Sequence, residues 1–215
     1  MLLAIDTSAG TSVAVVDRDR GAIVEIGEQD TRRHAEVIGE LIRLAIDRSG
    51  IAITDLSGVA VGMGPGPFTG LRVGIAAAQA FALGAGKPVV RVVSHDGIAW
   101  GHYADGNDGP LLVVTDARRR EVYWSAYSGV DAQGLPVRVH AAGLSGPGLS
   151  RPDDLDSAVE GYADYQRLDA TEVSAASIGL LAEGLYLHGR PFAAAEPLYL
   201  RSPDVTVSTG QKRVS

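Results

Sequence analysis

Short apolar runs alternate with polar turns through the start of the chain. Residues 2–5 (LLAI) close on Asp6, residues 12–16 (SVAVV) follow a Gly10-Thr11 turn, and residues 22–26 (AIVEI) follow DRDRG. Runs of this length between turn signals predict strands, and connections this short make the three antiparallel neighbours. The period then changes. From Thr31 or Arg32 to Ser49 the polar residues Glu36, Glu40, Arg43 and Asp47 fall four, three and four apart, one wet stripe along a helix. Val37, Ile38, Leu41, Ile42, Leu44, Ala45 and Ile46 cover most of the remaining circumference, an apolar face wider than packing on one sheet requires.

The segment VAVGMGPGPFTGLRVG (59–74) predicts a buried strand, a loop dense in glycine and proline, and the start of a helix over 69–83. Strand, glycine loop and helix together suggest a phosphate cradle. Asp6, Thr7, Ser8, Gly64 and Gly66 would then be the cofactor-binding candidates. Against this, Pro65 and Pro67 lack the N–H groups that an anion nest needs, and no Lys-Ser or Lys-Thr follows the glycines. A rigid structural elbow is the stronger reading. The helix it feeds carries only Arg72 and Gln79 as polar residues beyond its first turn, while Gly70, Gly74, Ala76, Ala77, Ala78, Ala80 and Ala82 keep its surface small. Such a helix is either buried on two faces within its own domain or offers an apolar patch to a partner.

Residues 89–93 predict another buried strand, with Ser94 as N-cap of a short helix to about Tyr103. ADGNDGP (104–110) marks a boundary, after which the pattern restarts: LLVVTD (111–116) parallels LLAID (2–6). Strands are expected over 121–127 and 137–141, a loop over 144–152, a strand over 158–162 and an amphipathic helix over 175–188. This faint duplication predicts an α/β chain of two related lobes, 1–106 and an abridged 107–203. Residues 197–201 form a docking segment, and 204–215, lacking an apolar pattern, are expected to fray.

Charge and composition narrow the function. The net charge is −7, whereas a domain gripping nucleic acid alone normally carries a basic stripe. The one basic cluster, Arg118-Arg119-Arg120, reads as a solvated hairpin tip. There are no cysteines, which excludes disulfides, thiolate catalysis and cysteine metal sites. The first residues, MLLAIDTS, read as a strand rather than a signal peptide, and no apolar run approaches the ~20 residues of a bilayer span. A cytoplasmic protein without a membrane segment is expected.

Asp6 and Asp116 end equivalent apolar strands, where metal–phosphate ligands can lie in duplicated two-lobe folds. Alternatively, Asp6 caps the Gly10-Thr11 turn and Asp116 pairs with the neighbouring arginines. His34 lacks a second ligand one turn on, where Ile38 stands, and His95, His102, His140 and His188 are scattered. Ser94-His95-Asp96 is contiguous and so is not a triad geometry, and no GxSxG elbow occurs.

These residues carry a resemblance. GPGPFTGLRVG (64–74), AIDTS (4–8), His34 opening the first helix, DARRREVYW (116–124) and PLYLRS (197–202) resemble, in order, the landmarks of the TsaB (YeaZ) family, with Pro67 where that family usually has Ser. The resemblance implies an actin/Hsp70/sugar-kinase-like (ASKHA) fold with two βββαβαβα-type lobes. It implies a non-catalytic subunit that pairs with the larger paralogue TsaD in threonylcarbamoylation of adenosine 37 of ANN-decoding tRNAs. The first two long helices would pack on their TsaD counterparts, a face comprising Ile38, Leu41, Ile42, Ala45, Thr69, Arg72, Val73, Ala76, Ala77 and Ala80. The same helices could form a homodimer when the chain is alone. ATP and metal would belong to TsaD and the docking ATPase TsaE, tRNA would be met only through the complex, and this chain would hold no cofactor. The alternatives are a stand-alone ATPase or phosphotransferase using Asp6 and the 64–70 loop, and a glycoprotein peptidase, for which no metal or nucleophile constellation is present.

Overall fold

The computed structural model describes residues 1–139 and 147–201. Strands β1 (Leu2–Asp6), β2 (Thr11–Asp17) and β3 (Gly21–Glu28) form the expected antiparallel meander. Helix α1 (His34–Ser49) follows. It starts later than the periodicity suggests, because Asp30 holds the preceding turn: its Oδ1 accepts the Arg32 N–H at 3.0 Å and its carbonyl accepts the Arg33 N–H at 3.1 Å. Strand β4 (Gly58–Gly62) lies parallel to β1, helix α2 (Phe68–Ala85) follows the glycine-proline loop, and β5 (Val89–Val92) lies parallel to β4. The sheet order is β3-β2-β1-β4-β5.

Helix α3 (Ser94–Ala104) leads to the second sheet. Strand β6 (Leu111–Asp116) pairs antiparallel with β7 (Val122–Val130), which also pairs with β8 (Pro136–Arg138) and β9 (Gly148–Ser150). A single turn, α4 (Leu155–Ala158), stands where the first half has the long α1, and β10 (Gln166–Asp169) then lies parallel to β6. Helix α5 (Ala175–Leu187) closes the regular structure. The duplication read from the two strand-and-aspartate endings is therefore topological: β6, β7 and β10 repeat β1, β2 and β4 in direction.

Three expectations in the second half are corrected. Residues 158–162 are not a strand; α4 and a 3₁₀ turn (Tyr162–Asp164) occupy that region, and the strand is β10. Its sequence QRLD has no apolar run to announce it, since its place comes from backbone pairing with β6. The expected loop over 144–152 contains β9, whose Gly148 lets the Trp124 indole lie flat on the backbone. A Cβ there would stand 2.3 Å from the ring. Helix α5 is apolar on most sides rather than amphipathic, and packs on the first sheet although it belongs by sequence to the second half. His140, the end of the expected 137–141 strand, Ser202 and the 204–215 tail lie outside the described residues.

The first sheet is a middle layer. Leu3, Ile5, Val13, Val15, Val59 and Val61 face α1 and α2 and join Ile38, Leu41, Leu71 and Ile75 in one core. The alternate residues Leu2, Ala4, Ala14, Val16 and Ala60 meet Ile178, Leu181 and Ala182 of α5. Burial on both faces explains why β1 and β4 read as continuous apolar runs rather than alternating ones. Helix α2 has 18 residues and a mean hydropathy of 1.3, enough by length and composition alone to cross a bilayer and longer than the sequence reading allowed. It nevertheless sits on the sheet through Leu71, Ile75, Ala78 and Ala82, as a core helix does.

Candidate functional site

The site grows from the turn after β1. Asp6 is buried, and both carboxylate oxygens are engaged. Oδ1 accepts the Ser8 N–H at 2.7 Å and the Ser8 hydroxyl at 2.5 Å, while Oδ2 accepts the Ser94 hydroxyl at 2.6 Å. Burial pushes its carboxyl above the usual carboxylate range, against the pull of the Ser8 and Ser94 hydrogen bonds. The carboxylate thus turns inward, and Ser8, not Asp6 or Thr7, borders the neighbouring cleft.

The glycines of the loop and helix serve close packing on this turn. Gly62, Gly66, Gly70 and Gly74 recur every fourth residue and face Asp6, Ser8 and Thr7. A Cβ at Gly62 would stand 1.8 Å from Asp6 Oδ2, and one at Gly74 would stand 2.2 Å from Thr7 Oγ1. Thr7 seals the contact by donating its hydroxyl to the Gly70 carbonyl at 2.8 Å. Gly64 turns the chain at φ 90°, and its N–H is taken by Ser94 Oγ at 3.0 Å. Gly64 and Gly66, the cradle candidates, are therefore committed to holding the loop on β1. Pro67 occupies the N-cap of α2 without a side-chain cap, the position where the usual family Ser could supply one.

A cleft of about 740 Å³ opens between the two sheets. Its walls include Ser8, Gln29, Thr31, Arg32, His34 and Thr69 on one side and Asp116, Arg118 and Thr171 on the other. His34 is buried, with Nδ1 hydrogen-bonded to Thr11 Oγ1 at 2.7 Å, and burial together with the nearby Arg118 guanidinium pushes its pKa down. Wedged against Gly70, the His34 ring packs beneath the turn and supports it. No cluster of three or more His, Cys, Asp or Glu side chains suited to a metal occurs among the described residues. The β6–β7 hairpin tip is the arginine turn. Arg118, Arg119 and Arg120 all adopt left-handed backbone, with φ of 65°, 54° and 62°. Arg118 reaches across the cleft to Thr31 Oγ1 and lies 3.4 Å from Asp116, the local ion pair expected at that tip.

The structure also assigns roles that local sequence reasoning missed. Ser94 is not the N-cap of α3; Val93 holds that position, and Ser94 Oγ turns back to the Gly64 loop and Asp6. His95 is fully buried, hydrogen-bonded through Nδ1 to Ser125 Oγ at 2.8 Å and through Nε2 to Thr115 Oγ1 at 2.9 Å. Burial holds its pKa down to about 3. Their partners are 20 to 88 residues away, so only the burial pattern could have signalled them.

The proposed docking residues divide sharply. Ile38, Leu41 and Ala45 are buried in the core beneath α1 and cannot face a partner. Thr69, Arg72, Ala76 and Ala80 are exposed along α2, with Val73, Ala77 and Ile42 half-buried beside them. Leu83 extends this stripe at 84% exposure, while Ala35 and Gly39 are the exposed small residues of α1. Arg72 lies 3.6 Å over the Phe68 ring, which in turn stacks on Tyr199 at 4.8 Å. The terminal segment docks as expected: the Leu198 N–H donates to the Met63 carbonyl at 2.9 Å, and Arg201 pairs with Glu121.

Sheet order, lobe duplication and interlobe cleft define the actin/Hsp70/sugar-kinase-like class. The family model described as "TsaD: tRNA N6-adenosine threonylcarbamoyltransferase" matches residues 25–136. A crystal structure of a Pseudomonas aeruginosa protein described as similar to peptidase YeaZ superposes with a TM-score of 0.74. It is 28% identical, and the match covers 93% of this chain and 99% of that one. An uncharacterized protein of Mycobacterium tuberculosis is 39% identical over 210 residues, covering 94% of this chain and 92% of its own. The Escherichia coli tRNA threonylcarbamoyladenosine biosynthesis protein TsaB is 36% identical over 126 residues, covering 59% of this chain and 54% of its own length. The chain belongs to the TsaB (YeaZ) family, within the wider group that the TsaD model describes. That relation supports involvement in threonylcarbamoyladenosine biosynthesis.

Proposed function

We propose that this chain is the non-catalytic partner of a TsaD-type transferase, stabilising it for threonylcarbamoyl transfer to adenosine 37 of ANN-decoding tRNAs. The observation that carries the reading is the exposed face of α2. Thr69, Arg72, Ala76, Ala80 and Leu83 recur at helical spacing on an otherwise apolar helix, with no element of this chain covering them among the described residues. Small residues let a partner helix approach closely, and the inward carboxylate of Asp6 leaves the strand end without a ligand aimed at phosphate. A TsaE-type ATPase and tRNA would join through the complex, with ATP and metal held by the partners.

Co-expression with the genomic TsaD-type protein tests this. Ala76→Glu and Ala80→Glu are expected to abolish co-purification and tRNA modification while leaving the melting temperature of the lone chain unchanged. Intact complexes in both variants would overturn the assignment. The second reading, a stand-alone ATPase, is favoured by one feature, the 740 Å³ interlobe cleft. It requires nucleotide binding by the lone chain.

A further inference from the structure

Three consecutive side chains at the start of α3 reach three different parts of the molecule. Ser94 grips the β4–α2 loop from both sides: its N–H donates to the Gly64 carbonyl at 2.8 Å, and its hydroxyl accepts the Gly64 N–H at 3.0 Å while donating to Asp6. His95 points the other way, bridging Thr115 on β6 and Ser125 on β7. Asp96 reaches β7 and β8, accepting the Tyr127 hydroxyl at 2.7 Å and two hydrogen bonds from the Arg138 guanidinium, one at 3.0 Å. Ser94 and His95 are completely buried, and the Asp96–Arg138 pair is largely so. Successive residues on a helix point about 100° apart, so one turn of helix can hold three separate elements.

We propose that Ser94-His95-Asp96 is a keystone coupling the second sheet to the loop that aims α2. The second sheet holds α3 through His95 and Asp96, α3 holds Gly64 through Ser94, and Gly64 begins the loop that positions Phe68 at the head of α2. A disturbance at β6 or β7 then reaches α2 through a buried, fully hydrogen-bonded path with no slack. That α2 docks a partner rests on the proposed function; the coupling itself does not.

Hydrogen exchange on the full-length lone chain separates the two. In His95→Ala, which removes both ring hydrogen bonds, amides of residues 62–71 are expected to exchange more than about tenfold faster, tenfold being the scale of one lost buried hydrogen bond, while those of β2 and β3 keep their protection. Thr115→Val and Ser125→Ala each remove one of the two His95 contacts from the opposite side. They are expected to produce smaller changes in the same segment, and they decide the matter if His95→Ala does not fold. Unchanged exchange over 62–71 in every folded variant, or an equal rise across both sheets, overturns the coupling. Faster exchange with unchanged affinity for the TsaD-type partner would support the coupling and count against docking through α2.

Discussion

His95 shows how a buried side chain sets a pH dependence. Its folded pKa of about 3 lies below the ordinary 6.5, so between those values the unfolded chain binds a proton that the folded one refuses. Stability therefore falls as pH drops below 6.5, by up to about 1.4 kcal/mol per pH unit for one proton. Asp6 works in the opposite sense: its raised pKa contributes stability at low pH that is lost as pH climbs through the folded value. Replacing His95 with Gln should flatten the decline in melting temperature between pH 6.5 and 4, and a slope as steep as the parent's would count against its role. The arginine turn offers a stabilising change. Arg120 holds φ 62°, and glycine relieves that conformation, so Arg120→Gly should raise the unfolding free energy by about 0.5–1 kcal/mol in urea titration. Gly74→Ala should lower it by about 1–3 kcal/mol, because the added methyl meets Thr7.

At the scale of elements, α2 is the informative case. Its two faces cannot be told apart by composition, since alanine lines both. Ala78 is fully buried on the sheet, whereas Ala76 and Ala80 face outward. Ala78→Glu should consequently unfold the chain, while Ala76→Glu should leave its circular dichroism melt unchanged; identical behaviour of the two would refute the face assignment. Helix α1 teaches the same lesson. Its wide apolar surface suggested a partner, yet Ile38, Leu41 and Ala45 are consumed by the sheet. Strand and helix periods were readable because they are local. Which side of an all-apolar helix is inside depends on the tertiary neighbours.

At the scale of the molecule, the meander, the glycine-rich turn after β4 and the restart of the strand pattern at β6 were legible, since apolar runs and turn residues mark them directly. The site was legible only in part. Asp6, Thr7 and Ser8, offered by the sequence as cofactor-binding candidates, pack against α2 and Ser94, contacts set by residues up to 88 positions away. Strand β10 and the placement of α5 on the first sheet left no local trace. A whole-molecule prediction follows from the inward Asp6. Calorimetric titration of the lone chain with ATP and magnesium should show no binding. Micromolar binding abolished by Asp6→Ala would instead establish the ATPase reading.

The alanine and glycine surface of α2 has one more consequence, in entropy. Ala76, Ala80 and Gly84 have no rotamers to lose. A protein packing on these three positions would freeze only its own side chains there, while Thr69, Arg72 and Leu83 on the same face would still lose rotamer freedom. Tight association through such a face would demand little area, and its strength would reside in how closely the two backbones can approach.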